Sequence, residues 1–245
     1  MILAAAQTQP KRGDIEANLL DHYRLITLAA EKGVQLIAFP EMSITGYERE
    51  HAAKLAFSKN DSRLDHLKKL SVEHNIIIVA GAPIQIDTQL FIGEFIIAPD
   101  HSIKIYTKQF LHEGEDEFFQ PSLDHNPMIL IDNQKISFAI CADIDNPLHP
   151  ENASRRETST YIASIFFSPN GVPNAHRDLQ NYAQKHKMHI LMANFSGASW
   201  GYPSGGKSAF WNNKGELVAQ MNDSDSGLLL IENQNDSCTS QIIKI

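Results

Sequence analysis

The stretch Ile136-Ser137-Phe138-Ala139-Ile140-Cys141-Ala142-Asp143 is an apolar, β-prone run that ends in a cysteine, with an acid two residues further on. A run of this length and composition reads as a buried strand, and this one delivers Cys141 to the strand's C-terminal end. In open α/β sheets that end is where ligand crevices form. A cysteine there is either a nucleophile or a small buried hydrophobe. The rest of the chain decides between them.

Helix and strand signals alternate on both sides of this run. Residues 2–7 read as a short apolar strand. Asp14 is a helix N-cap, Leu19, Tyr23, Ile26 and Ala30 recur at helical spacing, and Gly33 stops the helix. Residues 34–39 make a second strand that Pro40 breaks, with Glu41 just past its end. A helix from about residue 61 carries Leu64, Leu67 and Leu70 on one face, and strands follow over 76–82, 90–98 and 102–106. Residues 107–127 are irregular. Loops this long in compact domains are functional or disordered, and Phe118-Phe119 argues against disorder.

Residues 128–131 then pair with the Cys141 strand as a hairpin through Asp132, and helices over 150–161 and 173–187 alternate with strands over 162–168 and 189–195. The Gly/Ser/Pro-rich segment 196–207 is a loop, and two or three strands close the chain around a turn at Asn213-Lys214-Gly215. Trp200 and Tyr202 in that loop are open to three readings: a pocket wall, an oligomer contact or plain loop packing. No linker composition and no repeat divides residues 1–245, so the expectation is a single domain of mixed α/β layers.

A chain of 245 residues with 42% hydrophobic and 20% charged content is ordinary for a globular protein with a substantial core. The net charge of −8, from 29 acidic against 21 basic residues, argues against a nucleic-acid or anionic-membrane surface. The two cysteines, Cys141 and Cys238, stand far apart, with Cys238 read as peripheral; no disulfide framework is indicated, and a reducing cytoplasm is expected. The N-terminal residues lack the basic and apolar regions of a signal peptide, and no apolar run reaches the ~18 residues that span a bilayer. His112, Glu113, Glu115, Asp116 and His125 crowd one loop, but their spacing matches neither the HExxH helix nor the EF-hand loop. No metal or cofactor is expected.

Glu41, Lys108 and Cys141 share one property: each stands at or just beyond the end of an apolar strand. Taken singly, each is a solvated strand end. Together they are the residue types that thiol catalysis needs. A thiol with a pKa near ~8.5 is a poor nucleophile at neutral pH unless a base takes its proton, which Glu41 can do. Acyl transfer puts charge on a carbonyl oxygen, which Lys108 and the backbone N–H of Ala142 can stabilise.

Three motifs in this order resemble the nitrilase (carbon–nitrogen hydrolase) superfamily: Phe39-Pro40-Glu41-Met42-Ser43-Ile44-Thr45-Gly46-Tyr47, then Tyr106-Thr107-Lys108 with Glu115-Asp116-Glu117-Phe118-Phe119, then Ile140-Cys141-Ala142-Asp143. Ala193-Asn194 and the closing Gly205-Gly206-Lys207-Ser208 extend the resemblance over nearly the whole chain. It implies a four-layer αββα sandwich of the nitrilase type, with Glu41 as general base, Lys108 as oxyanion stabiliser and Cys141 as nucleophile. Glu115 matches a second glutamate beside the lysine, and Tyr47, Phe119, Asn194 and Ala142 fall at substrate-positioning places. The implied partners are a small-molecule amide and a second copy of the chain, in a homodimer or higher homo-oligomer. Nitrile or N-carbamoyl hydrolysis by the same residues, or a catalytically silent binding fold, are the alternatives. Asp145-Asn146-Pro147-Leu148-His149 after the cysteine motif, and Asn181-Tyr182-Ala183 in the late helix, depart from the common pattern and mark a divergent branch.

Overall fold

The computed structural model describes residues 1–234 and 237–245. The chain opens with strand β1 (Ile2–Gln7), helix α1 (Ile15–Glu31) and strand β2 (Leu36–Ala38). Two helices follow, α2 (Ala52–Leu55) and α3 (Asp65–His74), and then the meander β3 (Ile77–Ile86), β4 (Gln89–Ile97) and β5 (Ile103–Thr107). The second half runs β6 (Ile129–Ile131), β7 (Gln134–Ile140), α4 (Leu148–Arg155), β8 (Thr160–Ile165), α5 (Val172–His186) and β9 (His189–Asn194). A small ribbon of β10 (Ala198–Ser199) and β11 (Tyr202–Pro203) precedes β12 (Ala209–Trp211), β13 (Leu217–Gln220), β14 (Gly227–Gln234) and β15 (Ser237–Lys244).

Among the described residues these strands form a seven-stranded sheet, β15-β14-β1-β2-β3-β4-β5, and a six-stranded sheet, β13-β12-β9-β8-β7-β6. β1, β2 and β3 are mutually parallel, as are β7, β8 and β9; the flanking strands are antiparallel. β5 is antiparallel to β4, itself antiparallel to β3, so β5 points the same way as β2 and β3.

Alternation along each strand sorts the core into layers. Leu3 and Ala5 of β1 join Phe138 and Ile140 of β7 in one cluster between the two sheets. Ala4 and Ala6 face the other way and pack with Leu25, Ile26 and Ala29 of α1 and Leu67 of α3. On the far side, Ala139 of β7 packs with Leu179 and Ala183 of α5. Helices, sheet, sheet, helices: the fold is the four-layer αββα sandwich.

Most elements fall where the sequence places them. Asp14 caps α1, its Oδ1 accepting the Ala17 N–H at 3.0 Å. Three differences have physical causes. The helix expected over 150–161 ends at Arg155, because Glu157 turns left-handed (φ 62°) and Thr160 and Tyr161 join β8 beside β7 and β9. β3 runs on past residue 82 through Pro83, beyond the stretch that β2 pairs; there Phe57 bridges Ile84, donating its N–H to Pro83 O and accepting from the Gln85 N–H, so no N–H is asked of the proline. Among the described residues four strands, not two or three, follow the Gly-rich segment, and that segment itself carries the β10–β11 ribbon. No described helix is long and apolar enough to cross a membrane.

Candidate active site

The C-terminal ends of β2, β5, β7 and β8 converge around one pocket, and each brings a side chain to it or, for Lys108 at the end of β5, just behind it. Past β2, Phe39 donates its N–H to Val79 O, Pro40 stops the ladder, and Met42 adopts φ 50°. Ile44 then donates to Gly81 O, so the turn folds back on β3 with Glu41 fully buried at its start. At the end of β5, Lys108 continues the ladder by donating its N–H to Ile92 O, and its side chain is also fully buried.

Lys108 Nζ lies 2.8 Å from Glu41 Oε1 and 2.7 Å from Glu115 Oε1. A buried ammonium between two carboxylates is a network in which neither sign is left alone. Glu115 is held further by the Tyr47 hydroxyl, which donates to Oε1 at 2.6 Å, and by the His112 N–H, which donates to Oε2 at 2.7 Å. Glu41 is less encumbered: among the described residues its Oε2 accepts no other hydrogen bond. Cys141, which opens on the same pocket, is a near neighbour of this carboxyl.

Cys141 begins a 3₁₀ turn directly after β7, at φ 44°. A non-glycine residue in this region is strained and is held there by its surroundings. Cys141 is 6% exposed, and its Sγ stands 3.8 Å from Phe166 O, just past the end of β8.

Burial sets the electrostatics. It pushes Glu41 up to about 7, against the pull of Lys108 and with a push from Glu115. Burial also drives the Cys141 thiol well above its usual range; the negative charge of Glu41 adds to this and Lys108 opposes it. For Lys108, burial alone acts downward, but Glu41, Cys141 and Glu115 outweigh it and hold the ammonium well above the usual lysine value. The resting arrangement is therefore a neutral thiol beside a carboxyl poised near neutrality, with a permanent cation behind both.

Among the described residues a pocket of ≈ 260 Å³ opens onto Glu41, Glu115 and Cys141. Its wall includes Tyr47, Trp200 and Tyr202. Phe166, Phe167, Ser168 and His112 also line it and were not expected. The first three sit just beyond the end of β8, the same strand-end position that singled out Glu41 and Cys141, and that rule was the available signal. Phe119 and Asn194 lie behind the wall rather than in it. Phe119 packs in the inter-sheet core, and Asn194 uses its side chain to fix Phe167 and Gly206. Ala142 follows the cysteine and faces a neighbouring depression shared with Phe110 and Asn146. Glu115 turns inward to the lysine and His125 stacks edge-on to Phe91; among the described residues no three acidic, histidine or cysteine side chains are placed to hold a metal ion.

A sandwich of this kind is the architecture of the nitrilase superfamily. The carbon–nitrogen hydrolase family model matches residues 2–242. The chain belongs to the carbon–nitrogen hydrolase family. It is 24% identical over 255 residues to a nitrilase from Pyrococcus abyssi, covering 99% of this chain and 95% of that protein. It is 26% identical over 241 residues to a glutamine-dependent NAD(+) synthetase from Aquifex aeolicus, but spans 41% of that protein's length. In structure it resembles an amidase from Nesterenkonia sp. AN1, with a TM-score of 0.86 at 20% identity over 96% of this chain and 93% of that one. Variants of that amidase have been solved with butyramide, and with acrylamide added to its active-site cysteine.

Proposed function

We propose that the chain, as one catalytic domain over residues 1–245, hydrolyses a small amide through a thioester on Cys141. The sulfur attacks the carbonyl carbon while Glu41 takes the thiol proton. Lys108, with an N–H not committed to Glu41 or Glu115, and the Ala142 N–H hold the resulting oxyanion. As the tetrahedral intermediate collapses, Glu41 returns the proton to the departing ammonia or amine, leaving the acyl group on sulfur. Water then attacks the thioester, Glu41 takes its proton, and collapse releases the carboxylic acid and restores the thiol.

The observation that carries this reading is the Lys108 ammonium bridging Glu41 and Glu115, the two carboxylates that line the pocket with Cys141. Glu115 and Tyr47 act as positioning groups for the lysine. Nitrile hydrolysis by the same residues is the second reading, supported by the similarity to the Pyrococcus abyssi nitrilase over most of its length. The two-cysteine composition and net charge of −8 support a soluble protein of a reducing compartment, and a homo-oligomer is part of the proposal.

Intact-mass spectrometry during incubation with a panel of amides and nitriles tests it. The expected result is an acyl adduct that maps to Cys141 and not to Cys238, and loss of turnover in a folded Cys141→Ala protein. Turnover that survives Cys141→Ala ends the mechanism.

A further inference from the structure

Resting on that reading of the site, we propose that the preferred substrate is an uncharged amide whose acyl group is a flat apolar or aromatic unit, and that Trp200 selects it.

The pocket wall is a run of rings. Tyr47 meets Phe166 at 5.4 Å with their planes 45° apart, and meets Trp200 edge-on at 5.7 Å; Trp200 in turn meets Tyr202 at 5.3 Å. Aromatic faces and edges of this kind receive another ring or a compact branched chain with dispersion and quadrupole gains beyond simple burial. The ≈ 260 Å³ volume lies below the ~300–1,000 Å³ range of pockets that take drug-sized ligands, so one ring or a short branched chain is the limit.

Charge sharpens the choice. Two carboxylates, Glu41 and Glu115, face the pocket, and the cation between them is already bonded to both. Among the described residues lining the pocket there is no lysine or arginine, and the one imidazole, His112, is exposed. A substrate carboxylate entering here loses its hydration and gains no counter-charge. A cationic acyl group fares little better at Trp200, because the Arg49 guanidinium already sits over that indole at 4.0 Å.

The wall is built in place rather than left to a mobile loop. Trp200 sits at φ 51° in the turn of the β10–β11 ribbon. Its backbone N–H donates to Glu48, and its indole N–H reaches both carboxylate oxygens of Glu50, at 3.0 and 2.9 Å. The adjacent Ser199 hydroxyl accepts the Tyr47 N–H at 2.9 Å. The specificity wall is thereby pinned to the segment that follows Glu41.

Comparison of kcat/KM for benzamide, acetamide, succinamate and glycinamide tests the proposal. Benzamide is expected at least about 10-fold above the two charged amides, on the scale that one pocket feature supplies. In Trp200→Ala the benzamide value is expected to fall about 10-fold or more, mainly through KM, and by a larger factor than the acetamide value; Trp200→Phe retains the benzamide preference. Binding to Cys141→Ala, read by quenching of indole fluorescence, is a second measurement independent of turnover; the other tryptophan, Trp211, is buried away from the pocket. Benzamide bound no more tightly than succinamate, or succinamate turned over as well as benzamide, overturns the substrate class. If Cys141→Ala binds benzamide selectively while the intact protein turns over no amide, the hydrolase reading fails and the pocket's selectivity stands.

Discussion

Asp143 accepts the backbone N–H of Gln109 at 2.9 Å, and so ties the turn that carries Cys141 to the peptide just after Lys108. The same Oδ1 accepts the Phe110 N–H, while Oδ2 accepts the Ile140 N–H and the Tyr106 hydroxyl. Tyr106 continues to His149, whose other ring nitrogen meets the Tyr161 hydroxyl at 2.7 Å. One buried carboxylate thus sets the distance between the proposed oxyanion cation and nucleophile. In Asp143→Asn an amide NH₂ must face N–H or O–H donors, and a buried donor left unsatisfied costs about 1–3 kcal/mol. The expected outcome is a lower Tm and a kcat reduced about 10-fold or more, with slower iodoacetamide labelling of Cys141. Tyr106→Phe, which removes one bond of the four, should show the smaller effect on all three measurements.

The pH dependence of kcat/KM follows from Glu41. Its burial raises the carboxyl from 4.5 to about 7, and as the proposed base it would accept the thiol proton only when ionised. Activity is therefore expected to fall tenfold per pH unit below a midpoint near 7. Because groups this close titrate together, the midpoint belongs to the Glu41–Lys108–Glu115–Cys141 set. Glu41→Gln should lose most of kcat and the acid limb with it. An acid limb centred near 4.5 in the native enzyme would show that Glu41 is not the base.

How far the sequence reached is visible in particular residues. Glu41, Lys108 and Cys141 were legible because each ends an apolar run, and local composition is enough to find a strand end that a proline or a charge interrupts. Phe166 and Phe167 were not, because their own apolar character extends the expected strand to residue 168. The ladder stops at Ile165, where its partner β9 ends at Asn194. β15 was hidden for the opposite reason. Its residues are mostly exposed and polar, and its extended form comes from pairing with β14 across Leu228↔Ile243 and Ile231↔Ser240. Pairing of this kind is non-local and leaves little periodicity to read.

Gly81 shows how closely the Glu41 turn is packed. A Cβ at this position would stand 2.5 Å from Met42 N and 3.2 Å from Pro40 O, both backbone atoms that cannot rotate aside. Gly81→Ala must push the turn off β3, where Ile44 is bonded to Gly81 O. Overpacking of this kind costs about 1–3 kcal/mol. The expected result is a lower Tm with an activity loss of about 10-fold or more that exceeds what reduced folding explains, since Glu41 rides on the displaced segment. Thermal unfolding and kcat measured on the same preparation separate the two.

Glu94 carries the last expectation. It lies on β4 between Gly81 and Tyr106, is 1% exposed, and among the described residues neither carboxyl oxygen has a hydrogen-bond partner. Burial pushes it from 4.5 up to about 8; Ser164 opposes this, while the charges of Asp143 and Glu41 add to it. The folded chain therefore keeps a proton that the unfolded chain releases above 4.5. The stability linked to this proton is fully present below 4.5 and is lost as pH rises through about 8. Glu94→Gln keeps the shape and removes the ionisation. Its Tm should stay close to that of the native protein at pH 5 and exceed it increasingly toward pH 9, where the difference in unfolding free energy reaches on the order of a few kcal/mol. Melting curves of the two proteins that run parallel across that range would mean that Glu94 does not hold the proton.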